Sequence, residues 1–262
     1  MGEHYSKKEL GKDMYQFFIE DENAAEDFVT IEGSDVNHIK NVLRMKPGEK
    51  IRVCTRNGQN YFCSISDITE SFVRADILEK EAESTELPCR IYLFQGLPKN
   101  DKMEWIIQKT VELGVYEVIP VAMKNCVVKL DDKKAKSKVM RWQAIAESAA
   151  KQSKRSLIPE VKMPMSYKEA VAYAKELDVK LVPYENEHGM AGTKAAMEQI
   201  KKGESIAVFI GPEGGFAPEE IALVQDEMQL ISLGKRILRT ETAGIAALAI
   251  LGYQLESSDM IE

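Results

Sequence analysis

Apolar and polar residues follow two different patterns along the 262-residue chain, and the change falls near Arg90. Between residues 15 and 80, apolar side chains tend to recur at every second position, which is typical of strands with one buried face. Beyond Arg90, short apolar runs alternate with segments of helical periodicity, and this predicts a mostly parallel sheet covered by helices. We therefore expect a small β domain at residues 1–80, a linker at residues 81–89 and an α/β domain at residues 90–262.

The N-terminal segment carries the signals of a small β-barrel. Asn57-Gly58 is a strong signal for a tight hairpin turn between two strands. A short helix is predicted at Asp35–Arg44, because Ser34 or Asp35 can cap its start and Pro47-Gly48 ends it. The predicted strands are Tyr15–Ile19, Lys50–Cys54, Tyr61–Ile68 and Phe72–Leu78.

The α/β segment divides into alternating strands and helices. Its last helix is apolar around more of its circumference than packing on one side requires, so it is either a subunit interface or a helix buried on both sides. The predicted strands are Arg90–Phe94, Glu117–Pro120, Lys180–Val182, Ile206–Ile210 and Gln229–Leu233. The predicted helices are Asp101–Leu113, Asp132–Lys154, Gly192–Lys201 and Ala243–Leu255.

Two glycine-bearing segments, Gly211–Phe216 and Leu233–Ala243, each follow a buried strand and lead into a helix. Ligands of open α/β folds bind at the carboxyl ends of the strands, where such loops lie. Glycine lets the backbone approach a ligand closely, and a helix start offers free N–H donors. The two segments therefore predict a small-molecule pocket. The chain contains neither a dinucleotide-binding fingerprint nor a Walker A loop.

Several residues of these segments are candidates for chemistry or for structure. Glu213, the ionisable residue of the first segment, either caps backbone N–H groups or acts on a substrate. Thr240 and Thr242 suit the N-terminal cap of the following helix. Arg236 and Arg239 lie next to an apolar strand end and need anionic partners, which an RNA phosphate or a developing base anion would supply.

Composition bears on the cellular location of the protein and on whether it holds a metal site or a disulfide. Apolar residues make up 44% of the chain and charged residues 29%, and no apolar run approaches the roughly 20 residues of a membrane span. The first 14 residues lack the basic start and apolar core of a signal peptide, so we expect a cytoplasmic protein without a membrane partner. The four cysteines are scattered and histidines number three, so we expect neither a metal site nor a disulfide.

The net charge of −7 is unusual for a protein that binds RNA. The first 80 residues carry 11 basic and 15 acidic residues, so the β domain is not a generally basic module. Positive charge is concentrated in Lys124–Arg155, where ten basic residues face three acidic ones. This run is either a surface for RNA phosphates or a solvated helix face.

The two glycine-bearing segments, GPEGGF and LGKRILRTETA, resemble those of the SPOUT class of methyltransferases, and more narrowly of the RsmE family. The similarity extends to His38–Arg44, Lys102–Trp105, Glu112–Val115 and the stretch from Arg141 to Ser153. The resemblance implies a C-terminal trefoil knot that binds S-adenosylmethionine, a PUA-like N-terminal domain and a homodimer formed through the knot domain. It further implies methylation of N3 of a uridine in 16S ribosomal RNA of the small subunit.

The resemblance also implies roles for individual residues. Arg239, Arg236 and Glu213 would be catalytic, with an arginine stabilising the uracil anion and water or Glu213 taking the N3 proton. The main chain around Leu233, Ile237 and Leu238 would hold the adenine. The full set implied for the cofactor is Leu181, Pro183, Glu185, Ile210, Gly211, Gly214, Gly215, Leu233, Gly234, Ile237, Leu238, Thr240 and Thr242.

The chain departs from the family pattern at Gln16, Asn37 and Asn100, and these positions bear more on RNA than on the cofactor. Two other functions are open. The chain could be a SPOUT enzyme that modifies another position, such as a ribose 2′-hydroxyl. It could also be a ribosome-assembly factor that binds RNA without catalysis.

Overall fold

The computed structural model describes residues 14–81, 84–185 and 189–257. The chain forms two compact units. The first runs up to Glu86 and also takes in Lys151–Ile158, while the second holds Leu87–Ala150 and continues from Pro159. The predicted domains placed residues 151–158 with the α/β domain, so the units differ from the predicted domains in this segment.

The first unit is a curled five-stranded sheet. Its core is built from alternate residues of the strands, such as Val29 and Ile31, which are fully buried. The order across the sheet is β1-β3-β4-β5-β2; β1 runs parallel to β3 and the other neighbours are antiparallel. Its elements are β1 (Gln16–Ile19), β2 (Phe28–Glu32), α1 (Ser34–Asn37), β3 (Lys50–Thr55), β4 (Asn60–Ile68) and β5 (Phe72–Glu81).

Two local features of this unit differ from the sequence prediction. Strand β2 was not predicted, although its alternation of buried and half-buried side chains is regular. The predicted helix at Asp35–Arg44 is split into α1 and a π-helical turn at His38–Val42. The helical stretch ends before Arg44, whose positive φ of 55° is incompatible with its continuation.

Hydrogen bonds explain why residues 151–158 belong to the first unit. The buried Arg155 forms an ion pair with Glu86. The Arg52 guanidinium donates to the carbonyl of Lys154 at 2.9 Å, and the buried Gln16 side chain donates to the carbonyl of Arg155 at 2.6 Å. Gln16, which departs from the family pattern, therefore has a structural role within this unit.

The second unit is a parallel sheet with helices, as the alternation predicted. The main path through the sheet is β12-β10-β11-β6-β7-β8, β9 also pairs with β7, and every pairing is parallel. The strands are β6 (Arg90–Gly96), β7 (Val115–Ala122), β8 (Glu160–Val161), β9 (Met165–Ser166), β10 (Val179–Pro183), β11 (Ser205–Ile210) and β12 (Gln229–Ile231). The helices are α2 (Lys102–Glu112), α3 (Asp132–Gln152), α4 (Tyr167–Ala174), α5 (Ala191–Glu198), α6 (Pro218–Val224) and α7 (Thr240–Ser257).

The core of the second unit lies between the sheet and its helices. Phe94 and Phe209, on the neighbouring strands β6 and β11, stack with their ring centroids 4.3 Å apart. Both rings are fully buried, so they hold the centre of the sheet together. In the parts of the chain that the structure describes, no helix has the length and apolar character needed to cross a membrane.

Helix starts in this unit rely on glutamate side chains. Ser166 and Glu169 form a capping box at the start of α4, a helix that was not predicted. At α6, Ala217 occupies the cap position and has no hydroxyl. The buried Glu220 compensates, because it accepts the N–H of Ala217 at 2.8 Å and that of Lys124 at 2.8 Å.

Candidate active site

The carboxyl ends of β10, β11 and β12 meet at one edge of the parallel sheet, since these strands are neighbours. A cavity of about 840 Å³ lies there. Three loops form most of its lining: the β10 loop (Tyr184, Glu185 and Gly189), the β11 loop (residues 211–217) and the β12 loop (residues 232–239). The predicted convergence of the two glycine-bearing segments is thus present in the structure.

Most of the candidate site residues line this cavity, whereas Leu181, Gly214 and Thr242 do not. Leu181 lies inside β10 and is fully buried, since the strand continues to Pro183. Thr242 is exposed on the first turn of α7. The lining residues are Pro183, Glu185, Ile210, Gly211, Glu213, Gly215, Leu233, Gly234, Arg236, Ile237, Leu238, Arg239 and Thr240.

The two adjacent glycines of the β11 loop serve different purposes. A Cβ atom at Gly214 would lie 3.0 Å from the Cβ of Asn125, so this glycine allows close packing against Asn125 and not against a ligand. The Asn125 amide anchors the loop by donating to the carbonyls of Gly214 and Gly215 at 3.0 and 3.2 Å. Gly215 lines the cavity with a positive φ of 67°, which side-chain-bearing residues rarely adopt.

The hydroxyl of Thr240 joins the β11 and β12 loops. Helix α7 begins at Thr240 itself, three residues before the predicted start, so neither Thr240 nor Thr242 occupies the expected cap position. The Thr240 hydroxyl instead donates to the carbonyl of Gly211 at 2.6 Å. It also accepts a hydrogen bond of 2.9 Å from the fully buried Gln95 side chain at the end of β6.

Glu213 is held by groups from the start of α2. Its Oε1 atom accepts the backbone N–H of Lys99 at 3.0 Å and lies 3.0 Å from the Nζ atom of Lys102. The same ammonium lies 3.1 Å from Oε2 of Glu241 in the first turn of α7. Glu213 thus accepts a backbone N–H group, as the capping role requires.

The surroundings of Glu213 also determine its ionisation. Burial alone would raise the pKa of Glu213 by disfavouring the charged carboxylate. Hydrogen bonds from the Lys102 ammonium and from backbone N–H groups outweigh burial and lower this pKa below its ordinary value. Glu213 is thus an ionised carboxylate at neutral pH and a weak proton acceptor.

Arg236 and Arg239 also line the cavity, but they differ from Glu213 in their lack of charged partners. Both are exposed, and neither guanidinium has an ion-pair partner within residues 14–81, 84–185 and 189–257. An unpaired guanidinium presents a fork of N–H donors that fits a phosphate or another planar anion. These two cations are available to a substrate that enters the cavity.

Acidic residues, most of them from other segments, compensate much of the positive charge of the run Lys124–Arg155. Lys129, Lys133 and Lys136 are exposed and have no ion pair in the described part of the chain. The pairs are Lys124–Glu219, Lys134–Asp131, Lys138–Asp101, Arg141–Glu104, Lys151–Asp35 and Arg155–Glu86.

Sequence reasoning did not single out Gln95, Lys102, Asn125 or Glu241 as site residues. Lys102 and Asn125 contact the β11 loop, Gln95 contacts Thr240 at the start of α7, and Glu241 contacts Lys102, so each contact joins distant parts of the chain. Periodicity and turn signals describe neighbours in sequence, so they carry no information on such contacts. For Gln95 the sequence does offer a local signal, because a polar residue at the end of a buried apolar strand needs a hydrogen-bond partner.

Two protein families match the chain. Residues 85–252 match the family described as an RNA methyltransferase domain, and residues 31–78 match an RNA methyltransferase PUA domain. The first match covers more than half of the chain and includes the three loops of the cavity. Fold and site therefore define an RNA methyltransferase with an N-terminal PUA domain.

Individual relatives narrow this class. The ribosomal RNA small subunit methyltransferase E of Bacillus subtilis (strain 168) is 39% identical over 87% of this chain and 90% of its own length. A crystal structure of the enzyme of that name from Neisseria gonorrhoeae, bound to S-adenosyl methionine, is 32% identical with a TM-score of 0.79. That comparison covers 91% of this chain and 96% of the other. This chain belongs to the family of ribosomal RNA small subunit methyltransferases E, which confirms the resemblance seen in its sequence.

Proposed function

We propose that the protein transfers a methyl group from S-adenosylmethionine to N3 of a uridine in 16S ribosomal RNA of the small subunit. The observation that carries this proposal is the cavity itself. Loops from three strand ends line it, and so do two arginines without an ion pair among the described residues, in a chain of the methyltransferase E family. Such a site can hold a nucleoside-containing cofactor and attract RNA at the same time.

The cavity fits the proposed cofactor in size and in chemistry. Its volume of about 840 Å³ lies in the range of small-molecule sites. Leu233, Ile237 and Leu238 line it, and their backbone groups would hold the adenine. The exposed Glu185 carboxylate would accept hydrogen bonds from the ribose hydroxyls. The bound cofactor would supply an electrophilic methyl group on a sulfonium.

Arg239 and Arg236 are proposed to act on the target base. Removal of the N3 proton leaves negative charge on the uracil ring, and a fixed guanidinium stabilises such charge as it develops. Glu213 is proposed to build the site and not to take this proton, since its lowered pKa makes it a weak base. Water is the remaining acceptor of those considered.

Each of the two units has its own proposed RNA contacts. The PUA match assigns the first unit to a family of RNA methyltransferase PUA domains. In the second unit, the exposed Lys129, Lys133 and Lys136, which have no ion pair within the described ranges, would contact phosphates. Because the proposed substrate is ribosomal RNA, we expect the protein to act in the cytoplasm.

The proposed assembly is a homodimer formed through the second unit, whose β11 and β12 loops we infer to be threaded as a trefoil knot. Helix α7 buries Leu248 and Leu251 inward but leaves Tyr253 75% exposed and Ala249 exposed. This exposed face supports a subunit interface over a helix buried on both sides. Light scattering at micromolar concentration should give twice the chain mass, whereas a monomer would contradict the dimer.

Nucleoside analysis of ribosomal RNA from a deletion strain tests the proposed function. Small-subunit RNA from that strain should lack one N3-methyluridine, and a plasmid copy of the gene should restore it. Loss of a ribose 2′-O-methyl mark would instead support a different SPOUT activity. If the deletion leaves the level of every modified nucleoside unchanged, the result would support an assembly factor without catalysis.

A further inference from the structure

Lys102 differs from the rest of the cavity lining in its origin. Among the described residues, the other lining positions belong to the three strand-end loops or to their flanking elements. Lys102 is the first residue of α2, which follows β6. Helix α2 packs into the core, because its residues Met103 and Ile106 are only 2% and 0% exposed. The ammonium therefore reaches the cavity from a rigid support.

The ion pairs of Lys102 connect the β11 loop to the start of α7, the helix that follows the β12 loop. Glu213 belongs to the β11 loop, and Glu241 follows the β12 loop by two residues. The side chains of Lys102, Glu213 and Glu241 are only 26%, 23% and 19% exposed. Shielding of this kind weakens screening by salt, which distinguishes the cluster from pairs such as Lys134–Asp131 on the surface.

Glu241 links this cluster to the proposed catalytic arginine. Arg239 lies two residues before Glu241, and its carbonyl accepts the N–H of Ala243 in the first turn of α7. A carboxylate held in place at Glu241 therefore fixes the start of the helix that Arg239 directly precedes. Movement of this start by about 1 Å is enough to lower a reaction rate by about a hundredfold.

We propose that Lys102 is a positioning residue, which acts through Glu213 and Glu241 to hold the β11 and β12 loops in the geometry needed for methyl transfer. The consequence for the rate rests on the proposed function, whereas the consequence for loop order does not. Lys102 contacts two carboxylates and so has little remaining capacity to bind an RNA phosphate. The alternative is that its charge acts directly on the substrate.

Hydrogen–deuterium exchange of the full-length protein tests the effect on loop order. In Lys102→Met, amides of the β11 loop, of the first turn of α7 and of Lys99 should exchange about tenfold faster than in the wild type. Lys102→Arg keeps the charge and should exchange within about twofold of the wild type. Lys109→Met, on the same helix outside the cavity, is the matched control and should leave these amides unchanged.

Single-turnover methylation of small-subunit RNA tests the effect on the rate. Lys102→Met should lower the rate by about tenfold or more, and Lys102→Arg should restore most of it. In a Glu213→Gln/Glu241→Gln background, the same Lys102→Met change should cost less than about twofold, because the partners through which it acts are gone.

Three results would overturn the inference: unchanged exchange and rate in Lys102→Met, equal losses in Lys102→Arg and Lys102→Met, or a full tenfold loss in the double-glutamine background. The last result would assign Lys102 to the substrate directly. A wild-type protein that methylates no ribosomal RNA would refute the proposed function instead. In that case the exchange experiment would still decide whether Lys102 orders the loops.

Discussion

Two sets of charged residues at the cavity differ in how their charge is compensated. Lys102 pairs with Glu213 and Glu241, whereas Arg236 and Arg239 have no ion pair in the described part of the chain. A paired charge is held by its partner, and an unpaired cation keeps its capacity to bind an anion. We therefore assign the first group to the construction of the site and the second to the substrate.

Replacement of the unpaired Arg239 should have the largest effect. Arg239→Ala removes positive charge where negative charge develops, so single-turnover methylation should fall by about a hundredfold or more. Cofactor affinity, measured by calorimetry, should stay within a few fold because the adenine is held by backbone groups. Lys194→Ala, on α5, serves as the control for loss of a surface cation. A cofactor affinity that falls in proportion to activity would assign Arg239 to cofactor binding.

The second largest effect is expected at Gly215, a backbone position in the cavity lining. Gly215→Val places a side chain in the cavity at a φ of 67°, and this strain should lower cofactor affinity by roughly tenfold or more. Gly203→Val is the matched control, because Gly203 has a φ of 87° and does not line the cavity. Equal loss of affinity in both variants would show a general effect on folding and not a local one.

The same distinction between paired and unpaired cations applies to α3, with a smaller effect. Lys133→Met and Lys136→Met should each weaken RNA binding a few fold and lower the salt dependence by about one phosphate contact. Lys134→Met and Lys138→Met should change less, since acidic residues already compensate these lysines. Binding titrations at several salt concentrations measure this difference. Four equal effects would remove pairing as the explanation.

The smallest expected effect is the pH dependence of the free energy of unfolding that Glu213, in the ion-paired group, contributes. The lowered pKa of Glu213 stabilises the fold above the ordinary range of a glutamate, and this contribution is lost as the pH falls through the lowered value. Glu213→Gln should therefore lose less than about 1 kcal/mol near pH 7, and less still in acid. Urea unfolding between pH 3 and 7 measures the difference, and a gap that widens in acid would contradict the sign.

Sequence periodicity predicted the architecture of the second unit because its strands are short apolar runs followed by glycine-bearing loops. It also placed Gly211, Gly215, Arg236 and Arg239 in one pocket, since parallel strands end at a common edge. It gave Gly214 the wrong neighbour, because packing against Asn125 depends on a residue 89 positions away. It treated all basic residues of α3 as equivalent for the same reason, since the acidic partners of Lys138, Arg141 and Lys151 lie on distant parts of the chain.

The assignment of the two charged groups depends on the reaction that takes place between them. The most direct test incubates the wild type and Arg239→Ala with S-adenosylmethionine and small-subunit RNA that lacks the modification, and then analyses the nucleosides by mass spectrometry. The account predicts one N3-methyluridine per RNA with the wild type and almost none with Arg239→Ala in the same time. A ribose methylation, no methylated nucleoside, or full activity of Arg239→Ala would contradict it.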